Sequence, residues 1–156
     1  MDSLYHFTLI LHSWNRWIVL IAGLLTIIFA IGGMTNKSDY TKKDRITSLI
    51  FLSSLHLQLL IGILLYFVFS PITLQALSDF GAAMKDNTIR YWAVEHSLVN
   101  LIAIAFAQVG SILVKRKQTS RAKFKSTLIW NLIALVLILA MIPMGMMGVA
   151  RPWFRI

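Results

Sequence analysis

The stretch Leu11–Leu25, LHSWNRWIVLIAGLL, opens an apolar run that continues to Gly33 and places His12 and Arg16 one helical turn apart at its mouth. Hydrocarbon penalises both side chains, so their presence asks for a protein partner, a headgroup or a ligand. The composition around them settles the class. Of 156 residues, 58% are hydrophobic and 13% charged, and the mean hydropathy is +0.74, outside the range of ordinary soluble domains. Four apolar windows, roughly 10–33, 47–69, 91–114 and 127–149, are each long enough to cross a hydrocarbon core of about 30 Å as a helix of about 20 residues. The connections, at about 34–46, 70–90 and 115–126, are short. The expected architecture is all-α: a single transmembrane domain over 1–156 whose four helices form an antiparallel bundle in the lipid bilayer.

The net charge of +9 is unevenly distributed. Lys37, Lys42, Lys43 and Arg45 lie in one connection, and Lys115, Arg116, Lys117, Arg121, Lys123 and Lys125 in another. The opposite side holds Lys85, Arg90, Arg151 and Arg155, partly offset by Asp2, Asp79 and Asp86. Charge segregated by side is a topology signal rather than a nucleic-acid surface. It places both basic loops in the cytoplasm and both termini outside, the periplasmic side of a bacterial inner membrane. Asp2, with no Lys or Arg before the apolar run, is unlike the basic start of a cleavable signal peptide, so the first helix is expected to stay. The absence of cysteine excludes disulfides, thiolate-held iron–sulfur clusters and haem attached through C-x-x-C-H.

Polar residues inside the spans are then the informative ones. From His12, heptad-like steps reach Arg16, Val19, Gly23, Thr26, Ala30 and Gly33; in the third span the same spacing joins Trp92, His96, Asn100, Ala103, Ala107 and Gly110. Each stripe is headed by a histidine and is mostly small below it, which lets a neighbouring backbone or a flat cofactor approach. At 1.5 Å of rise per residue, His12 stands roughly 31 Å above Gly33 and His96 roughly 27 Å above Val114, nearly level. His56, in FLSSLHLQLLIGILLYF, stands only about 15 Å above Ile46 and belongs to a lower layer. Without cysteine, two level imidazoles on small-residue faces suit the axial ligation of a b-type haem. Arg16 and Arg90 are placed to neutralise propionates, and Asn100 continues the His96 face. His56 and Glu95 are the alternative ligands.

The same residues admit readings without a cofactor. His12 and His96 can bond across helices while Arg16 pairs with Glu95. Gln58, Gly62 and Tyr66, roughly opposite His56, read as a packing face. Trp14, Trp17, Trp92 and Trp153 read as interfacial anchors. Met141, Met144, Met146 and Met147 beside Pro143 read as flexible packing rather than thioether ligands.

The segments HSWNRWIVL, HLQLLIGILLYF, RYWAVEHSLVNLIAIAFAQVG and the terminal RPWFR together resemble a group of short four-helix bacterial membrane proteins labelled cytochrome b-like. The resemblance spans nearly the whole chain and rests on His12 to Trp17, His56 to Tyr66 and Ala93 to Ser97. It implies His12, His56 and His96 as the positions of interest. The tail departs from the group's proline–tryptophan–proline run: Met144 to Ala150 intervene between Pro143 and Arg151–Arg155. An internal repeat aligning His12 with His96 is faint, because the counterpart of His56 is then Ala140.

The expected function is electron transfer by an integral membrane protein holding haem b through His12 and His96, with a quinone or respiratory-chain subunits as partners. Two alternatives stand beside it. One is a non-haem site in which His12, His56, His96 and Glu95 bind zinc, iron or copper. The other is a cofactor-free accessory subunit.

Overall fold

The computed structural model describes residues 2–143, 149, 150, 152 and 154. Among the described residues, four helices are long and apolar enough to cross a membrane: Ser3–Thr35, Lys42–Phe69, Asn87–Lys115 and Ser120–Ala140. In chain order they are built from α1 (Asp2–Thr35), α2 (Lys42–Leu64) continued by a π-helical segment (Leu65–Phe69), three short helices α3 (Pro71–Ser78), α4 (Phe80–Ala83) and α5 (Asn87–Arg90), a second π-helical segment (Tyr91–Glu95), α6 (His96–Lys115) and α7 (Ser120–Ala140).

The ends differ from the hydropathy windows for local reasons. Helix α1 starts near the N-terminus because nothing in DSLYHFTLI breaks it. It stops in a Schellman turn: Ser38 N donates to Gly33 O at 3.1 Å, with Lys37 in the left-handed region at φ 52°. Helix α7 begins at Ser120 rather than about 127. Thr119 caps it by accepting from Ala122 N, and the following Arg121, Lys123 and Lys125 are good helix formers. It ends at Ala140 rather than 149, three residues before Pro143, whose ring disfavours helical geometry at the residue before it. Met144, Met146, Met147, Arg151, Trp153 and Arg155 lie outside the described residues. The expected 70–90 connection is largely helical, because Ser70, Asp79 and Asp86 each accept from main-chain N–H groups two or three residues on.

Helix α1 packs against α2 and α7, and α6 packs extensively on α7, whereas α2 and α6 meet along a slighter seam. His12 lies beside Gln58 and Gly23 beside Phe51, so numbering rises along α1 as it falls along α2. The pairs Gly23 with Leu135 and Gly33 with Phe124 relate α1 to α7 in the same way, as His96 with Met141 and Gly110 with Trp130 relate α6 to α7.

The core is made by the small-residue stripes. Val19, Gly23, Thr26, Ala30 and Gly33 are buried on α1, and Ala103, Ala107 and Gly110 on α6. Large side chains fill the space they leave. A methyl group at Gly23 would fall 2.8 Å from Phe51 Cε2 and 3.1 Å from Leu135 Cδ1, Gly33 lies under the Phe124 ring, and Gly110 lies under Trp130. The lower stripes therefore pack protein against protein and leave no slot for a flat cofactor. Outside, Ile18, Ile21, Ile28, Leu57, Leu60, Leu98, Leu101 and Val136 form an exposed apolar surface, of an extent that soluble monomers avoid.

Candidate functional site

The structure brings His12 and His96 together at the end of the helices away from the basic loops. Their ring centres are 6.3 Å apart and the planes are inclined by 53°. The His96 Nδ1 lies 3.1 Å from the Met141 carbonyl, so Nδ1 carries the proton and Nε2 keeps its lone pair. The Nδ1 of His12 is buried and has no hydrogen-bond partner. Two imidazoles that share one metal at about 2.0–2.1 Å from each nitrogen would place their ring centres roughly 6 Å apart. The ring-centre spacing of the pair is of that size.

Each histidine is held by neighbours that sequence reasoning assigned to packing or passed over. Gln58 Nε2 donates to His12 O at 3.0 Å, and Asn15 Nδ2 donates to both Gln58 Oε1 at 2.7 Å and Ser54 O at 2.9 Å. These bonds join α1 to α2 at the level of the pair. Gly62 faces His12, since a methyl there would lie 3.6 Å from His12 Cε1. The face Gln58–Gly62–Tyr66 thus lines the site. Its polar members at an otherwise apolar depth were the available signal. On the other side, Trp92 and Tyr91 flank His96 with ring centres 5.1 and 5.9 Å away, and the Tyr91 hydroxyl donates to the same Met141 carbonyl at 2.8 Å.

Both π-helical segments border this layer, and they touch. Tyr66 Oη donates to Ala93 O at 2.9 Å, while Ser97 Oγ donates to the same oxygen at 2.9 Å. Thr73 Oγ1 donates to Tyr66 O at 2.8 Å. Such bonds satisfy carbonyls that the wider π-turn displaces from the helical ladder, and π-turns concentrate at functional sites.

The remaining candidates are dispersed. Glu95 receives a bond from Arg90 Nε at 2.8 Å rather than from Arg16. The two are five apart, a spacing the intervening π-turn brings to one side. Arg16 Nη2 is 3.4 Å from Ser13 Oγ, and its guanidinium lies 5.7 Å from the centre of the Trp17 ring. Asn100 Nδ2 donates to His96 O at 2.6 Å, back onto its own helix. His56 is exposed on the outer face of α2, away from the pair. Among the described residues, no three His, Asp or Glu side chains converge as a metal-ion cluster. The grouping of His12, His56, His96 and Glu95 is thus not assembled among them.

No family model, curated protein or solved structure matches this chain.

Proposed function

We propose that the chain is a b-type cytochrome of a bacterial inner membrane, a single antiparallel four-helix bundle with both termini outside, in which His12 and His96 hold one haem. The observation that carries the reading is the imidazole pair at 6.3 Å. Among the described residues no third His, Asp or Glu joins the pair, and haem is a group that two imidazoles would suffice to hold. Bound there, haem would supply one-electron ferric–ferrous chemistry.

The protein's part is to hold and tune the pair. Met141 O fixes the tautomer of His96, an outer hydrogen bond of the kind that orients ligating histidines. Gln58 and Asn15 fix the backbone of His12 relative to α2. Arg16, one turn from His12 on α1, and Arg90, which holds Glu95 at 2.8 Å, are the two arginines proposed to meet propionates. Trp92 and Tyr91 wall one side and limit water. The expected electron partners are a quinone or a respiratory-chain subunit.

Absorbance of the purified protein tests this. A reducible Soret and α-band pattern, lost in His12→Ala and in His96→Ala but kept in His56→Ala, is the expected result. A protein that takes up no haem when expressed with excess haem, or bands lost only with His56→Ala, would overturn the assignment.

A further inference from the structure

At the other end of the molecule, a cavity of about 560 Å³ opens between the first turns of α2 and the last turn of α6. Four cations line it: Lys42, Arg45, Lys115 and Lys123. No carboxylate among the described residues does. Two acidic groups are close in sequence: Asp44 stands beside the cavity, accepting from the main-chain N–H at 2.8 Å and the hydroxyl at 2.7 Å of the lining residue Thr41, and Asp39 accepts from Ser120 Oγ at 3.1 Å. Hydroxyl donors Ser48 and Ser111 stand on the facing walls, and Leu49 and Val114 continue them into the apolar spans.

We propose that this cavity binds the phosphate of an acidic phospholipid, with an acyl chain running down the slight α2–α6 seam. The shared chemistry is a phosphate anion met by a ring of cations and hydroxyls. Two features select a lipid over a soluble phosphate. The walls are amphipathic in the right order, charged at the helix ends and apolar inward. The cavity also sits where two membrane-length helices terminate, the depth at which headgroups lie. This proposal is independent of the histidine pair, which occupies the opposite end.

Native mass spectrometry of the detergent-solubilised protein, titrated with phosphatidylglycerol or phosphatidylcholine of matched chains, reads the affinity of each lipid directly. Phosphatidylglycerol is expected to bind more tightly. A Lys or Arg near an anionic headgroup contributes about fivefold in affinity, so Arg45→Gln with Lys115→Gln should weaken phosphatidylglycerol by roughly 25-fold at low salt. The pair Lys117→Gln with Lys125→Gln removes the same charge outside the cavity and should leave most of the preference intact. Thermal unfolding of all variants in detergent confirms that each is folded. Equal affinity for the two lipids, or equal loss in both double variants, would overturn the proposal in favour of diffuse charge. Displacement of bound phosphatidylglycerol by millimolar inorganic phosphate would overturn the lipid assignment and give the cavity to a soluble anion.

Discussion

Gln58 donates its side-chain amide to the main-chain carbonyl of His12 at 3.0 Å, so a residue of α2 fixes the height of a histidine on α1. The same side chain accepts from Asn15 at 2.7 Å, which itself reaches Ser54 O. Replacing Gln58 by Leu removes both bonds and leaves Asn15 half-satisfied in a buried place. The expected cost is about 1–3 kcal/mol. If the pair ligates haem, the reduced spectrum should also shift or weaken. His56→Leu, two residues away on the exposed face, should do neither. Thermal unfolding in detergent with difference spectra on the same samples checks both statements, and matching effects from the two variants would show that Gln58 positions nothing.

Gly32 and Gly33 are adjacent in α1 and should respond oppositely to alanine. A methyl at Gly33 would collide with the Phe124 ring, whereas one at Gly32 meets nothing within 4 Å. Overpacking a close contact costs about 1–3 kcal/mol, so Gly33→Ala is expected to lower the unfolding temperature. Gly32→Ala relieves helix entropy and should be neutral or stabilising by about 0.5–1 kcal/mol. An unchanged Gly33→Ala would mean that α1 and α7 are less closely seated than their contact indicates.

The spans were legible because twenty apolar residues have few ways to be satisfied. The histidine pair was legible because a stripe of small residues points inward wherever helices pack closely. What was missed has physical causes. Polarity marked 70–90 as a loop, yet Ser70, Asp79 and Asp86 are N-caps and Pro71 occupies the first turn, a start signal that polarity alone hides. The π-segments carry no local propensity signature. They bring Arg90 to Glu95, the carboxylate that the cofactor-free reading gave to Arg16. Gln58, Gly62 and Tyr66 were correctly set on one face, but only the structure shows that the face looks onto His12.

Tyr40 provides a pH test outside the spans. Its ring meets Phe124 edge-on, with centres 5.0 Å apart, and Lys123 Nζ lies 5.9 Å from its ring centre. Burial pushes the phenol above its ordinary value of about 10. The folded protein therefore holds this proton where the unfolded chain releases it. Stability from the neutral phenol is fully present below about pH 10 and is lost as the pH rises from there through the folded value. Tyr40→Phe should remove that part of the alkaline decline. The gap in unfolding temperature between wild type and variant should be constant up to about pH 9 and then move in the variant's favour. A gap that stays flat to pH 11 would place the phenol in water.

If the histidine pair holds haem as proposed, its orientation decides which side of the membrane an electron partner would occupy. Ser120 Oγ donates to Asp39 at 3.1 Å and Tyr40 meets Phe124, so the two basic connections share one end. His12, His96 and the short helices α3–α5 lie at the other. The positive-inside rule predicts that the basic end faces the cytoplasm. Because the chain has no cysteine, single thiols report side without background. Ser38→Cys and Gln118→Cys, both exposed in the basic connections, should resist an impermeant maleimide in intact cells and react after permeabilisation. Ser78→Cys, exposed at the end of α3, should react in both. Labelling in the reverse pattern would place the imidazole pair at the cytoplasmic face. A donor approaching from the periplasm would then face the whole hydrophobic thickness rather than one outer layer, and the acidic-lipid cavity would belong to the outer leaflet.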